Sequence, residues 1–225
     1  MSKKKKSNQK TPPKKQPVKK DDYTTVIFFA VIILIVGIAA ATTLFGKNDD
    51  SSQPETPMLD ANKTYFAEIV IEKYGTITVQ LDQKSAPITA ANFVKLAESG
   101  FYTGTTFHRI IEGFMMQGGA PKSTVSSPAS IVGEFTSNGY DNPLKHERGV
   151  ISMARTNDKN SASSQFFIMH ATKTHLDGAY AAFGWVTEGM EVVDAICEAA
   201  QPTDNNGSIA KDAQPVIKSI TIIAK

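Results

Sequence analysis

One cysteine, Cys197, is all that this chain of 225 residues contains, so an internal disulfide or a thiolate metal cluster is excluded. Cys197 falls in a helical apolar pattern with Met190, Val193 and Ile196, which predicts a buried small hydrophobe rather than a reactive thiol. The four histidines, His108, His146, His170 and His175, show neither H-x-x-x-H nor HExxH spacing, so no zinc-binding helix is expected. There is no phosphate-cradling glycine loop and no dinucleotide fingerprint. Ser163-Ser164 lies in no nucleophile elbow. No internal repeat is visible. Neither a metal nor a cofactor is expected.

Charge is unevenly placed. Residues 1–46 carry nine lysines and two aspartates, a net of +7, and residues 47–225 carry fifteen basic and twenty acidic residues, a net of −5. The basic character belongs to the N-terminal tail, and a mildly acidic remainder argues against nucleic acid as a partner.

From Tyr23 to Gly46 charge is absent altogether, and Val26 to Ile38 is continuously apolar except for Gly37. About 20 apolar residues span a bilayer core, so residues 23–46 are expected to form a transmembrane signal-anchor. A cleaved signal peptide ending near Ala39-Ala40-Ala41 is the alternative, and N-terminal sequencing separates the two. No cysteine follows the run, which excludes a lipidated anchor. Lysines crowd before the run (Lys3 to Lys6, Lys10, Lys14, Lys15, Lys19, Lys20) and only Lys47 follows closely, which places the N-terminus in the cytoplasm and the C-terminal domain outside it. Residues 1–22 are too polar to bury a core and read as a disordered tail, and residues 47–60 read as a solvated linker.

Residues 61–225 read as one mainly β domain. Thr64–Ile71 and Thr76–Leu81 alternate apolar and polar residues around a Tyr74-Gly75 turn, as a hairpin does. Pro87 opens a helix with Ser85 as a candidate cap, and Gly100 ends it. Further strands are expected at 105–111, 114–117, 150–154, 165–169, 181–186 and 216–223, and a second helix at Met190–Ala199. Eight short strands and two helices suggest a closed antiparallel barrel capped by the helices.

The densest chemistry lies in Phe107-His108-Arg109-Ile110-Ile111-Glu112-Gly113-Phe114-Met115-Met116-Gln117-Gly118-Gly119. A cationic donor, Arg109, is set beside large apolar side chains, and a surface pair with Glu112 is its plainer reading. A second segment, Ser163-Ser164-Gln165-Phe166-Phe167-Ile168, adds another glutamine and two aromatics. Together the two segments resemble the active-site signatures of the cyclophilins, the peptidyl-prolyl cis/trans isomerases, and the resemblance extends over nearly all of residues 61–225.

The resemblance implies a cyclophilin-like barrel and assigns roles. Arg109 and Gln165 would be catalytic. Phe114, Met115, Phe167 and Leu176 would hold the proline ring. Gln117 joins Gln165 in holding the peptide backbone. Ala154 and Arg155 would grip the substrate main chain through backbone groups, which leaves the Arg155 side chain free to vary. His108 would hydrogen-bond within the site wall. His175 stands where the family often has tryptophan, at the rim that cyclosporin uses, so cyclosporin binding is expected to be weak. Tyr180 stands where eukaryotic members usually have histidine and bacterial ones often tyrosine. Residues 120–128 replace a glycine-rich loop beside the pocket for residues upstream of proline.

The reaction fits such parts. An X–Pro bond isomerises over a barrier of about 18–20 kcal/mol in tens to hundreds of seconds. Bringing it to milliseconds requires about 6 kcal/mol of differential stabilisation. No covalent bond breaks. Twisting removes amide resonance and gives the proline nitrogen a lone pair that a fixed guanidinium stabilises mainly in the transition state. The expected partners are proline-containing polypeptides undergoing folding after export. A tethered, non-catalytic module that binds Pro-containing segments is the alternative, and it would have no need of the donor at Arg109.

Overall fold

The computed structural model describes residues 58–225. The expected tail (1–22), transmembrane segment (23–46) and all but the end of the linker (47–60) lie outside the described residues. Among the described residues no helix is long and apolar enough to cross a membrane.

Eight strands form one antiparallel sheet: β1 (Tyr65–Ile71), β2 (Gly75–Leu81), β3 (Phe107–Ile111), β4 (Met115–Gly118), β5 (Val150–Met153), β6 (Phe166–Met169), β7 (Ala182–Glu188) and β8 (Ile217–Ala224). Their order is β3-β4-β6-β5-β7-β2-β1-β8. The sheet curls until its two edges approach. β3 and β8 meet through a single bridge, Thr106 to Val216, with backbone bonds from Phe107 N to Pro215 O and from Ile217 N to Thr105 O. The barrel read from the sequence is thus a curled sheet whose closure is confined to this short seam.

Among the described residues two α-helices accompany the sheet, α1 (Pro87–Glu98) and α2 (Met190–Ala199). Pro87 takes the first turn of α1, where its missing N–H costs nothing. Ser85 does not cap it: the cap residue is Ala86, which offers no side-chain oxygen, and Ser85 Oγ donates instead to Asp82 Oδ2 at 2.7 Å. The orphan donors of the first turn are met from far along the chain. Ile88 N and Thr89 N donate to the two carboxylate oxygens of Glu134 at 3.0 and 2.7 Å, and Thr89 Oγ1 adds a third bond. Glu134 is buried, and its negative charge sits at the positive end of the helix.

Strand periodicity divides the apolar residues between two faces. Phe166 and Ile168 of β6 turn inward to the main core, where Phe93 of α1 lies within 5.5 Å of the rings of Tyr102, Phe166 and Phe183. Phe167 and Met169 face the other way, yet they too are buried, in a second cluster with Met115, Val150, Leu176 and Ala182. A strand buried on both faces reads as a continuous apolar run, as Phe166 to Met169 does. The second cluster is the floor of the site. α2 lays Val192, Val193, Ile196 and Cys197 on the main core, one stripe of a 3.6-residue period.

Candidate active site

A bulge in β3 decides where Arg109 points. Phe107 and Ile110 both face the main core, three residues apart, which strict alternation forbids. The β3–β4 pairing slips between Phe107, opposite Gly118, and Arg109, opposite Gln117, so His108 is the extra residue. A β-bulge resets which face each following side chain occupies. Here it turns Arg109 away from the core and onto the face that carries Met115, Gln117 and Phe167. The glycine pair at the end of β4 keeps the backbones close: a Cβ on Gly118 would lie 2.9 Å from Thr106 O, and one on Gly119, at φ +75°, would lie 2.9 Å from Ser164 O.

On that face the ladders set the residues in a row. Arg109 is opposite Gln117, Gln117 opposite Phe167, and Phe167 opposite Ser152. Arg109 Nη1 lies 3.5 Å from Gln117 Oε1 and 3.6 Å from Met115 Sδ. Gln117 Nε2 donates to Gln165 Oε1 at 3.0 Å. Phe114 flanks the guanidinium, with its ring centroid 5.8 Å from Cζ. The structure therefore brings Arg109, Phe114, Met115, Gln117, Gln165 and Phe167 together, and Arg109 forms no ion pair with Glu112.

Arg109 Nε donates to the backbone oxygen of Asn206 at 2.7 Å, a contact that no sequence motif foreshadows. Asn206 is in a turn that Asp204 holds: Asp204 Oδ1 accepts from Asn206 N and Ser208 N, and Oδ2 from Ser208 Oγ. Gly207 N returns to Asp204 O, and Ile110 N donates to Gly207 O, tying the turn to β3. The Asp204-Asn205-Asn206-Gly207 run carried a turn signal, but nothing in it reveals that the turn faces Arg109. Burial lowers the Arg109 guanidinium from its ordinary value, against the opposing fields of Tyr180 and Asp204. Nη2 makes no hydrogen bond among the described residues.

The opposite wall is aromatic. Phe167 meets Tyr180 edge to face at 5.8 Å, and Phe114 lies 6.0 Å from His175. Leu176 is buried against the same floor. His175 and Leu176 belong to a single 3₁₀ turn, Thr174–Leu176. Ala154 N donates to Gln165 O, which fixes the end of β5 beside that of β6.

One residue differs from expectation. The Arg155 side chain, expected to be free to vary, is engaged in hydrogen bonds. Its Nε and Nη2 both donate to Ala179 O, at 3.0 and 2.8 Å, its Nη1 donates to Thr156 O, and its Cζ lies 4.6 Å over the Tyr180 ring. It fixes the Tyr180 segment. His108 has a buried Nδ1 with no hydrogen-bond partner among the described residues, and burial lowers its imidazole from the ordinary value against the opposing contacts with Thr106 and Gln165.

Behind the floor stands His146, which no sequence motif singles out. Its ring stacks on Phe167 at 6.0 Å and 19°, its Nε2 lies 3.1 Å from Ser152 Oγ, and its Nδ1 lies 3.2 Å from Asp177 Oδ1. This serine-histidine-aspartate chain is no hydrolytic triad, because Ser152 and His146 are buried beneath Phe167. Among the described residues no group of three or more His, Cys, Asp or Glu is arranged to hold a metal.

A sheet curled around a core, with an arginine and two glutamines aligned beside an aromatic and methionine floor, defines a site for an apolar ring joined to a peptide. Comparison with known proteins gives the same answer. The family described as "Cyclophilin type peptidyl-prolyl cis-trans isomerase/CLD" matches residues 55–222. Peptidyl-prolyl cis-trans isomerase A of Dickeya dadantii is 45% identical over 158 residues, covering 67% of this chain and 81% of that protein. Peptidyl-prolyl cis-trans isomerase B of Bacillus subtilis is 39% identical over 145 residues, 64% of this chain and 94% of its own length. The crystal structure of a Cryptosporidium parvum cyclophilin-type isomerase superposes with a TM-score of 0.62 at 29% identity, covering 72% of this chain and 99% of that one. The same parasite protein has been crystallised in the presence of the dipeptide Ala-Pro, and that structure superposes with a TM-score of 0.61. This chain belongs to the cyclophilin-type peptidyl-prolyl cis-trans isomerases. Its activity is the interconversion of cis and trans X–Pro bonds.

Proposed function

We propose that this isomerase works at the outer face of a membrane, speeding the proline-limited folding of proteins after export. Residues 23–46 would anchor it and residues 1–22 would remain in the cytoplasm. The lysine bias before the apolar run supports that orientation. Uncatalysed X–Pro isomerisation takes about 10–100 s at 25 °C, slow enough to limit folding.

At the site, the proline ring would rest on Met115, Phe167 and Leu176 with Phe114 as a side wall. Gln117 and Gln165 would hold the flanking amides, Ala154 and Arg155 would meet the main chain, and His108, His175 and Tyr180 would complete the rim. Arg109 is the donor. Its Nε and Nη1 are engaged by Asn206, Met115 and Gln117, which immobilises the guanidinium before substrate arrives. Nη2 would then meet the prolyl nitrogen as the amide twists, an interaction absent from the planar ground state. This fixed arginine with one arm unengaged is the observation that carries the reading. A module that only gripped Pro-containing segments would gain nothing from it. With histidine at 175 in place of an indole, cyclosporin is expected to bind weakly.

Two measurements test the reading. NMR exchange on Ala-X-Pro peptides with the full-length chain in mild detergent should show accelerated cis–trans interconversion, and binding without acceleration would favour the non-catalytic module. Protease added outside intact cells stripped of their wall should cleave the C-terminal domain. Its complete protection would contradict the extracytoplasmic placement.

A further inference from the structure

The turn that carries Phe114 is held by a side chain outside the site. β3 and β4 are joined by Ile111-Glu112-Gly113-Phe114, closed by Phe114 N donating to Ile111 O at 3.0 Å. Gly113 adopts φ +70°. Its N–H donates to His170 Nδ1 at 2.9 Å. His170 also grips the next residue through its backbone, because His170 N and Ala171 N both donate to Phe114 O, at 2.9 and 3.2 Å.

His170 is itself clamped. Arg148 Nη1 donates to its carbonyl oxygen at 2.8 Å, and Arg148 Nη2 donates to Asp194 Oδ2 of α2 at 2.7 Å. Asp194 Oδ1 faces His170 Nε2 at 3.2 Å. That oxygen is buried without an aligned hydrogen bond, so attraction there depends on distance more than on direction. The directional bond of the ring is the one from Gly113. It requires Nδ1 as acceptor, which puts the proton of the neutral ring on Nε2, toward Asp194.

We propose that His170 is a positioning residue for prolyl isomerisation: by accepting the Gly113 N–H it fixes the turn that sets the Phe114 ring against Arg109. The inference rests on the reading of Phe114 as a wall of the proline pocket. Freed of His170, Gly113 N–H would seek water and the turn would lose its one side-chain hydrogen bond among the described residues. The Phe114 ring would then sample orientations away from the guanidinium 5.8 Å away. His170 touches no substrate and acts through Phe114.

Two isosteric substitutions separate the ring nitrogens. In His170→Asn the amide oxygen takes the place of Nδ1 and can still accept from Gly113, while the reach to Asp194 is lost. In His170→Gln the amide takes the place of Nε2, and the Gly113 acceptor is lost. The full-length chain in mild detergent is assayed with Ala-X-Pro peptides, and amide hydrogen exchange is followed by mass spectrometry across residues 110–116. His170→Asn is expected to stay within about twofold of the parent, and His170→Gln to lose about tenfold in kcat/KM, roughly the effect of one lost hydrogen bond, mostly through KM. Exchange at the turn should quicken in His170→Gln alone. Equal losses in both variants, or none in either, would overturn the proposal, because the Gly113 bond would then not be what matters. Were the parent itself inactive, the isomerase reading would fall, and the exchange comparison would still decide whether His170 holds the turn.

Discussion

Arg109 and Gln117 stand directly opposite one another across the β3–β4 ladder, and Gln117 Nε2 bonds Gln165 Oε1 at 3.0 Å, so polar side chains from β3, β4 and the residue just before β6 form one connected edge. The edge lies above a floor of Met115 and Phe167 that exposes almost no surface of its own. Gln117 is the middle member. Gln117→Ala would leave Gln165 without its donor and Arg109 without a lateral contact. The expected loss is about fivefold to thirtyfold in kcat/KM, the effect of one to two hydrogen bonds of about 1 kcal/mol each, measured by peptide exchange. An unchanged kcat/KM would mean that the edge does not order the site.

The turn at 204–208 is expected to matter as much as the strands. A Cβ on Gly207 would lie 2.7 Å from Ile110 O, and its φ of +84° disfavours any L side chain. Gly207→Ala should push the turn away from β3 and release Arg109 Nε from Asn206 O. Activity is expected to fall by about tenfold or more, given how sharply catalysis depends on sub-ångström placement, while circular dichroism retains the sheet signal. Full activity in this variant would show that Arg109 needs no clamp from Asn206.

Glu134 is a stability determinant rather than a functional one. It is buried, and among the described residues its carboxylate accepts only from Ile88 N, Thr89 N and Thr89 Oγ1 at the start of α1. Glu134→Ala removes a cap and strands buried donors, at a cost of about 2 kcal/mol, or roughly 4–8 °C in Tm. Differential scanning calorimetry reads the change, and a Tm within a degree of the parent would refute the capping role.

Acid should weaken the fold through His146. Burial lowers its imidazole below the ordinary value despite the neighbouring Asp177. The folded chain therefore binds that proton less readily than the unfolded chain, so the contribution is complete above the unfolded value of about 6.5 and is lost as pH falls below it. Asp177 acts at lower pH. Its slight desolvation is outweighed by hydrogen bonds from His146, which lower its carboxyl, so its contribution fades below the ordinary carboxylate range. Tm is expected to drop between pH 7 and 5, and His146→Gln should drop less steeply across that window. The remaining slope includes His108, which burial lowers as well. Identical slopes in the two proteins would contradict a buried neutral His146.

Cys197 should be silent. It is buried on the core side of α2, and burial pushes its thiol up to about 12. A chromogenic thiol reagent at pH 8 is expected to leave the native chain unlabelled and to modify one equivalent after denaturation. Rapid labelling of the native chain would place the cysteine at the surface.

Much of the architecture was legible because strand signals are local. Alternation marked β1, β2 and β8 within a residue or two, the 190–199 helix matches α2, and the strand expected at 165–169 is β6. The site residues Arg109, Gln117, Gln165 and Phe167 stood out as motifs, and the ladders do bring them together. What stayed hidden was non-local. Glu134 caps a helix 46 residues earlier in the chain, Asn206 clamps an arginine 97 residues away, and His146 stacks on Phe167 from behind. No sequence period records such partnerships. Ser85 failed as a cap because Asp82 claims its hydroxyl first. The bulge at His108 was equally invisible, although without it Arg109 would point into the core.

The most direct test of the central claim replaces the guanidinium and separates turnover from binding. Arg109→Ala and Arg109→Lys in the full-length chain would be compared with the parent by NMR exchange for turnover and by titration calorimetry for affinity toward one Ala-X-Pro peptide. A donor used mainly in the transition state predicts that Arg109→Ala loses about 100- to 1,000-fold in kcat/KM while Kd stays within a few-fold, with little recovery in Arg109→Lys, whose single ammonium cannot be held by Asn206 and still reach the prolyl nitrogen. Parallel losses of affinity and turnover, or an alanine variant that still catalyses, would contradict the assignment of Arg109 as that donor.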